Sequence, residues 1–257
     1  MIKLNDLTKF LDGYLNYDIS RSTKVLDEKN ANCLQVKGSE EIGKIGFGVS
    51  ASHKLFQLAK KFGCQCLVVH HGIKMPDSPH YDSIFQNRVK FLLENDISLF
   101  GYHYLLDSHP EVGNNAQILK NLGITSKEKL VEWGWYGKLK TATKLTNVVK
   151  KCEKMFEQKA ILYKYGKNTV KKIGAVSGSG SLSGSELQSV IDLDLDLYIT
   201  GTPNESTREI YRELGLNLIA GGHYATETFG VKALMKKVKQ KFKSRVDVEY
   251  IELWNEV

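Results

Sequence analysis

Two segments of this 257-residue chain resemble each other, and this duplication constrains the fold more than any other feature of the sequence. Residues 34–46 align without gaps on residues 162–174, with Gly38 opposite Gly166. Each segment has the pattern of a strand, a turn at the glycine and a second strand. A duplicated sequence predicts two similar folding units, so each later motif is expected in two copies.

The similarity continues downstream of both segments. Each half has a helix-length segment, a short apolar strand, a helix-like segment and a second short strand: residues 52–62, 66–69, 85–94 and 97–102, then 183–191, 195–200, 205–214 and 216–222. Short apolar strands that alternate with helical patterns indicate an α/β protein with largely parallel neighbouring strands. We therefore predict two similar α/β lobes, residues 1–132 and residues 133–257.

The composition is that of a globular protein. Hydrophobic residues make up 42% of the chain, which can fill a core, and charged residues make up 25%. No apolar run approaches the roughly 20 residues of a membrane helix, and the first residues lack the apolar region of a signal peptide. We therefore expect a cytoplasmic protein with no membrane partner. The four cysteines are too few for a disulfide scaffold and are expected to be thiols.

The net charge is +7, and the densest basic run covers residues 236–245. Apolar residues before and within the run fall at helical spacing: Val231, Leu234, Val238 and Phe242. The lysines therefore most simply form the solvated face of a C-terminal helix. The alternative is a nucleic-acid surface, because positive charge attracts phosphates. The run lacks the aromatic and basic interleaving typical of single-strand binding, which favours the solvated face.

Two adjacent histidines come directly after the apolar strand 66–69. Because neighbouring side chains of an extended strand point to opposite faces, His70 and His71 suit two ions lying side by side. A histidine at a strand end also has a structural interpretation, as a capping or hydrogen-bonded residue. The pair by itself leaves both roles open.

A His-Tyr-x-x-acid motif follows the second short strand of each half, from His103 to Asp107 and from His223 to Glu227. Imidazole with carboxylate is a ligand set for zinc, iron or manganese, and a bridging carboxylate lets two cations lie close together. The predicted metal ligands come from both halves: His70, His71, Asp107, His223 and Glu227. His103 and His109 are assigned to proton transfer or to orienting a carboxylate, which makes them the candidate catalytic residues.

Three ordered motifs resemble those of the Nif-three-like family, whose members are commonly named GTP cyclohydrolase 1 type 2 homologues or dinuclear metal centre proteins. The motifs are residues 68–72, residues 103–110 with Gly113-Asn114-Asn115, and residues 221–227 with Gly230. The resemblance covers nearly the whole chain. It implies two intertwined, duplicated α/β lobes with mixed sheets and a metal site between the lobes. It also implies that the five predicted ligands bind two divalent ions (Fe, Zn or Mn) and that the chain forms a homohexameric ring.

Two segments depart from the family pattern. Many relatives have an acid where this chain has Gly48-Val49-Ser50-Ala51-Ser52, so we expect a different polar contact near the site. Relatives also tend to have Glu and a nearby His after the second-half Thr-Gly. This chain has Thr202-Pro203-Asn204-Glu205 there, so no base role is carried over to that segment.

The donor set and the resemblance together predict a metal-dependent hydrolase that uses metal-activated water on a nucleotide or phosphoester substrate. The resemblance implies opening of the GTP ring, and phosphoester cleavage would use the same groups. The alternative is a non-catalytic, ring-forming metal-binding or regulatory protein that contacts nucleic acid. The glycine-serine loop 175–184 is expected to line the pocket, with phosphate binding and a structural turn both open.

Overall fold

The structure is a computed structural model that describes residues 1–15, 32–76 and 80–257. Within these ranges the strands form a five-stranded sheet, a six-stranded sheet and a two-stranded ribbon. The chain divides into two compact units: Met1–Leu106 with Val231–Leu253, and Asp107–Gly230 with Trp254–Val257. The boundary at residue 133 concerns the duplication of the sequence and stays a prediction.

The first unit contains the five-stranded sheet and the ribbon. Its strands are β1 (Ile2–Lys3), β2 (Asn32–Val36), β3 (Glu41–Ile42), β4 (Lys44–Ser50), β5 (Cys66–His71), β6 (Ser98–Tyr102) and β13 (Asp247–Tyr250). Its helices are α1 (Leu4–Leu15), α2 (His53–Lys61) and α3 (Ser83–Glu94). The sheet order is β13-β4-β5-β6-β2, with β2 antiparallel to β6 and the other neighbours parallel. Strands β1 and β3 form the antiparallel ribbon.

The second unit contains the six-stranded sheet. Its strands are β7 (Lys127–Val131), β8 (Gly134–Lys144), β9 (Ile161–Tyr163), β10 (Thr169–Val176), β11 (Leu197–Thr200) and β12 (Asn217–Ala220). Its helices are α5 (Asn114–Leu122), α6 (Leu145–Phe156), α7 (Gly184–Leu193) and α8 (Glu205–Glu213). The sheet order is β7-β8-β10-β11-β12-β9, in which β10, β11 and β12 are parallel and the remaining pairs are antiparallel.

The chain passes from one unit to the other at three points. Two lie within helices, α4 (Tyr104–Asp107) and α9 (His223–Phe242), and the third lies between Leu253 and Trp254. A short 3₁₀ helix, Lys243–Arg245, follows α9. Both units contain the same arrangement, β4-α2-β5-α3-β6 in one and β10-α7-β11-α8-β12 in the other. In each sheet, the third of these parallel strands has an antiparallel neighbour on its other side, and this neighbour comes from the aligned repeat: β2 beside β6, and β9 beside β12. The predicted duplicated α/β fold with mixed sheets is therefore confirmed.

The repeated glycine has the same task in both units. The backbone N–H of Gly38 donates to Ser98 Oγ at 3.0 Å, and that of Gly166 donates to Asn217 Oδ1 at 2.9 Å. Ser98 and Asn217 are the first residues of β6 and β12. A Cβ atom at either glycine would overlap the backbone of the turn before that strand. The close approach of the two chain segments therefore requires glycine.

The central strands β11 and β12 of the six-stranded sheet are buried on both faces. Leu197 and Ile199 belong to the apolar cluster formed with α5 and α6, whereas Tyr198 belongs to the cluster formed with α7 and α8. This alternation follows from the two-residue period of a strand. It explains why residues 197–199 of β11 form an uninterrupted apolar run.

Helix α9 confirms the prediction for the C-terminal segment. The four apolar residues at helical spacing are no more than 3% exposed: Val231, Leu234, Val238 and Phe242. Several lysines of the basic run lie on the exposed side of the same helix, as an amphipathic pattern requires. No helix in the described part of the chain combines the length and apolarity needed to cross a bilayer.

Candidate metal centre

His70 and His71 are the last two residues of β5, not residues beyond the strand. The strand continues this far because His71 is paired with Ser50 of β4 and its carbonyl oxygen accepts the N–H of Ala51 at 2.7 Å. Burial follows the alternation of the strand, with His70 fully buried and His71 half-buried. The two ring centroids are nevertheless only 4.6 Å apart, so both imidazoles occupy the end of β5.

His103 joins these two histidines. It follows β6, the parallel neighbour of β5, so the carboxyl ends of both strands meet at one edge of the sheet. The ring of His103 lies 5.0 Å from that of His70 and 5.4 Å from that of His71. One nitrogen of each imidazole lies within 4.8 Å of the others. We call these three residues the histidine cluster.

The tautomer of His70 is set by the backbone. Its Nδ1 atom lies 3.0 Å from the carbonyl oxygen of Tyr102. Because a carbonyl oxygen only accepts, Nδ1 carries the proton, and the neutral ring presents the electron pair of Nε2. Metal-binding histidines usually have this second hydrogen bond, which orients the ring.

Tyr102 itself stays protonated. Its hydroxyl donates to Asp12 Oδ1 at 2.6 Å. Burial, followed by the neighbouring Asp12, raises the pKa of Tyr102 far above its ordinary value. Tyr102, whose carbonyl oxygen orients His70, therefore has an uncharged side chain at physiological pH.

His71 also has a partner for Nδ1. Ser50 Oγ lies 2.9 Å from this atom. Ser50 belongs to the segment 48–52 that departs from the family pattern, and this is the polar contact that the segment makes with the histidine cluster. A hydroxyl in this position orients the imidazole without adding charge to the cluster.

The second unit contains a histidine and a carboxylate on one helix. His223 begins α9, and Glu227 lies one turn later on the same face. His223 Nε2 and Glu227 Oε1 are 3.2 Å apart, and the Glu227 side chain is only 4% exposed. Gly178 faces this pair with φ of +64°, and a Cβ atom there would overlap the Glu227 carboxylate and lie 3.2 Å from His223 Nε2. Glycine therefore keeps the space in front of the pair open.

Asp107 is the last residue of α4 and is only 6% exposed. Its Oδ1 atom accepts hydrogen bonds from Asn114 Nδ2 at 2.9 Å and from Ser177 Oγ at 3.1 Å. Two donors on one oxygen restrict the rotation of the carboxylate. Asp107 is thus a buried, oriented acid within the second unit.

His109 lies in the turn between α4 and α5 and is 4% exposed. Its Nδ1 atom accepts the backbone N–H groups of Glu111 and Val112, each at 3.1 Å. The neutral ring therefore carries its proton on Nε2. The contacts give His109 a structural task in this turn, and its role in proton transfer stays a prediction.

The predicted ligands are supplied by both units. The first unit contributes His70 and His71, joined by His103, and the second contributes Asp107 and the His223–Glu227 pair. The donor atoms are imidazole nitrogens and carboxylate oxygens, the set that suits zinc, iron or manganese. Converging imidazole nitrogens and the space that Gly178 leaves in front of Glu227 both fit a bound cation. The residues present therefore fit the metal that the motifs predict.

The first unit also has a surface that the sequence pattern did not predict. Three cations of the basic run lie over aromatic rings: Lys237 over Tyr14 at 5.9 Å, Lys241 over Phe10 at 5.7 Å, and Arg245 over Phe242 at 5.5 Å. Phe10 and Tyr14 stack with centroids 5.6 Å apart. We call these six residues the basic–aromatic surface. It was missed because α1 supplies two of its rings from the opposite end of the sequence.

Known proteins resemble the chain over its whole length. The model of the Duf34/NIF3 (NGG1p interacting factor 3) family matches residues 2–256. The chain is 36% identical over 245 residues to the GTP cyclohydrolase 1 type 2 homolog of Archaeoglobus fulgidus, an alignment that covers 93% of this chain and 94% of the relative. It is also 36% identical over 258 residues to the protein of the same name in Escherichia coli, covering 99% of both.

Solved structures share the fold. The protein ybgI, described as of unknown function, superposes with a TM-score of 0.87 at 32% identity over the full length of both chains. TTHA1606 from Thermus thermophilus has the same TM-score at 28% identity, again over both full chains. Reduced HcgD from Methanocaldococcus jannaschii, at 23% identity and a TM-score of 0.82, covers 98% of each chain and has the same fold.

Proposed function

The chain belongs to the Duf34/NIF3 family, and on that premise we propose that it is a metal-dependent hydrolase that binds two divalent cations and acts on a nucleotide or phosphoester substrate. The observation that carries this proposal is the convergence of the imidazole nitrogens of the histidine cluster at the carboxyl ends of β5 and β6. The proposed ligands are His70, His71, Asp107, His223 and Glu227. Relatives named GTP cyclohydrolase 1 type 2 homolog support a nucleotide as the substrate.

Cations held by these residues would supply a water molecule of lowered pKa and a Lewis acid for an oxygen of the substrate. The protein contributes orientation. The Tyr102 carbonyl holds His70 through Nδ1, and Ser50 holds His71 through the same ring atom. Ligands oriented in this way lose little freedom when they bind a cation.

Proton transfer is the proposed task of two further histidines. His103 lies in the histidine cluster, next to the ligands, and His109 carries its proton on Nε2. Either ring can donate a proton to a leaving group from a ring N–H. Ring opening of a purine and cleavage of a phosphoester both need such a donor.

The glycine-serine loop supports an anionic substrate. Its residue Gly178 faces the His223–Glu227 pair, and the loop leads into the N-terminus of α7 at Gly184. Backbone N–H groups at a helix N-terminus favour negative charge. We therefore propose that phosphate groups of the substrate lie on this side of the site.

The metal content of the purified protein tests this function directly. We expect two ions per chain after reconstitution, and we expect His70→Ala to lose at least one of them together with turnover of GTP or a phosphoester. His53→Ala is the control, because His53 packs edge-on against Phe91 at 4.9 Å and belongs to neither ligand group. Fewer than about one ion per chain in the reconstituted protein would exclude the hydrolase, because the reaction needs a bound cation.

The family resemblance supports a proposal for the oligomeric state, and the sequence expectation of no signal peptide supports one for the cellular location. We propose a homohexameric ring in the cytoplasm. Light scattering of the metal-loaded protein measures the assembly, and fractionation of the source cells measures the location. A monomer at micromolar concentration would contradict the ring.

A second candidate function is non-catalytic binding of nucleic acid, which the basic–aromatic surface favours. Its three rings, Lys241 and Arg245 border an open groove of about 590 Å³ between α1 and the C-terminal helical segment. Single strands bind to surfaces that combine aromatic rings with positive charge. Fluorescence anisotropy with a single-stranded oligonucleotide at two salt concentrations tests this function.

The two functions give different results in that measurement. Nucleic-acid binding predicts an affinity that falls steeply with salt, is lost in Lys241→Glu and is unchanged in His70→Ala. Lys90→Glu is the control, because Lys90 is an exposed cation on α3, outside the basic–aromatic surface. Equal, weak binding by all variants would leave the hydrolase as the only candidate.

A further inference from the structure

We propose that Asn114 is a positioning residue of the metal centre. One end of its side-chain amide holds the carboxylate of Asp107, and the other end holds helix α9, which carries His223 and Glu227. The inference rests on the proposed function, because it concerns ligands of the same centre. It assigns a task to the Gly113-Asn114-Asn115 motif, which the donor set leaves unexplained.

The contacts of Asn114 are buried and directional. The residue begins α5 and has no exposed surface. Its Nδ2 donates to Asp107 Oδ1 at 2.9 Å, and its Oδ1 accepts the backbone N–H of Gly230 at 2.6 Å. A carboxylate only accepts and a backbone N–H only donates, so a single orientation of the amide satisfies both partners. An amide is the side chain that can make both bonds at once.

Gly230 shows that the approach of Asn114 is close. It lies in the interior of α9, three residues after Glu227. A Cβ atom at this position would lie 2.7 Å from Asn114 Oδ1 and 3.0 Å from its Cγ. Glycine destabilises a helix interior relative to alanine, so its presence here needs a packing reason. The contact with Asn114 supplies that reason.

Ser177 completes the support of Asp107. Its hydroxyl donates to the same carboxylate oxygen at 3.1 Å, and its backbone N–H donates to Asn115 Oδ1 at 2.6 Å. Asn115 in turn donates to the carbonyl oxygen of Trp133. The two adjacent asparagines at the start of α5 therefore hold Asp107 directly and through Ser177.

A purely structural role makes a different prediction. If Asn114 only joined α5 to α9, its loss would lower the stability of the protein and leave the intrinsic affinity for metal unchanged. A positioning role changes the affinity and the coordination geometry themselves, because the ligand carboxylate is no longer oriented before binding. Metal titration and the spectrum of a bound cobalt ion distinguish the two.

The test uses the full chain, freed of metal and titrated with Co²⁺. Asn114→Leu removes both hydrogen bonds of the side-chain amide and keeps a similar side-chain volume. Ser177→Ala removes one hydrogen bond to Asp107 without disturbing the backbone. Gly230→Ala forces Asn114 away while improving helix propensity. Val190→Ala is the control, because Val190 is a buried core residue of α7 in the apolar cluster around Tyr198 and its truncation lowers stability by leaving a cavity.

We expect Asn114→Leu to weaken Co²⁺ binding about 10–100-fold and to alter the visible spectrum of the bound ion. Ser177→Ala and Gly230→Ala should change affinity and spectrum in the same direction by smaller factors, whereas Val190→Ala should bind like the unaltered chain. If Asn114→Leu does not fold, the other two variants still decide the question.

Unchanged affinity and spectrum in Ser177→Ala and Gly230→Ala, and in Asn114→Leu if it folds, would overturn the positioning role while leaving the proposed function intact. Failure of the unaltered chain to bind Co²⁺ would instead reject the metal centre, and the positioning role with it. The two failures are therefore distinguishable in one set of titrations.

Discussion

The Nδ1 atom of His70 lies 3.0 Å from the carbonyl oxygen of Tyr102. A backbone group of β6 therefore orients a side chain of β5, and the orientation does not depend on the side chain at position 102. The Tyr102 hydroxyl has a separate partner, Asp12, on α1. The two contacts of Tyr102 can be separated by experiment.

Tyr102→Phe should lower stability without affecting the metal site. The substitution removes the 2.6 Å hydrogen bond to Asp12 and keeps the carbonyl that holds His70. A hydrogen bond to a charged group contributes about 1.5–3 kcal/mol, so the free energy of unfolding in urea should fall by about this amount. The ratio of metal to protein after reconstitution should stay unchanged. A variant that loses metal would show that the hydroxyl, and not the carbonyl alone, supports the site.

Gly178→Ala should disrupt the His223–Glu227 pair. Both Gly178 and Gly184 have positive φ, but a Cβ atom meets the Glu227 carboxylate only at Gly178 and finds nothing within 4 Å at Gly184. Gly184→Ala is therefore a matched control that introduces backbone strain alone, about 1–2 kcal/mol. We expect a larger loss of stability, together with loss of bound metal, in Gly178→Ala only. Thermal unfolding and elemental analysis of both variants measure this, and equal metal content in the two would contradict it.

The stability of the second unit should depend on the ionisation of Asp196. Burial alone would raise the pKa of this carboxyl, but the N–H groups of Lys172 and Lys171 and the charge of Lys167 together hold the pKa below its ordinary value. A carboxyl group whose pKa is lower in the folded state than in the unfolded state stabilises the protein at every pH above the unfolded pKa of about 3.9. This contribution is lost as the pH falls through the folded pKa.

Asp196→Asn should therefore be destabilised by about 1–3 kcal/mol at pH 7, and its difference from the unaltered protein should shrink below about pH 4. The free energy of unfolding in urea, measured for both proteins at pH 7, 5 and 3.5, tests this expectation. Asp194→Asn provides the comparison, because Asp194 is an exposed carboxylate at the end of α7. A difference that is independent of pH would mean that the charge of Asp196 is not involved.

The four thiols should differ in reactivity. Cys33 is exposed, and partial burial raises its pKa above the ordinary value. Burial raises the pKa of Cys64 to about 11 and that of Cys152 to about 12, and it raises the pKa of the fully buried Cys66 well above the ordinary value. Since the thiolate is the reactive form, an aromatic disulfide reagent at pH 8 should label one thiol per native chain and four after denaturation. Cys33→Ser should abolish the native reaction. Labelling that persists in this variant would show that a buried thiol becomes accessible.

Periodicity along the chain was sufficient to predict much of the fold. The segment 52–62 predicted a helix, and the structure has His53–Lys61 with Ser52 accepting the N–H of Leu55 as its cap. The aligned repeats predicted two copies of one βα pattern, which both units contain. These predictions succeed because strand and helix periods, helix caps and turn glycines depend on residues that are close together in the sequence.

Side-chain chemistry likewise predicted which residues could bind a metal, but only tertiary structure decides how they are oriented. Residue type made His70, His71, Asp107, His223 and Glu227 the candidates, whereas the register of β5 and β6 brought His103 beside the first two. The two hydrogen bonds of the Asn114 side chain join residues that are far apart in the chain. The contacts of the α1 rings with C-terminal lysines do the same. Sequence alone determined the order of elements and the available donor groups, because both are local properties. The tautomer of His70, the hydrogen bonds that orient Asp107 and the basic–aromatic surface depend on strand register and on helix packing. Register and packing bring residues that are distant in the sequence within bonding distance.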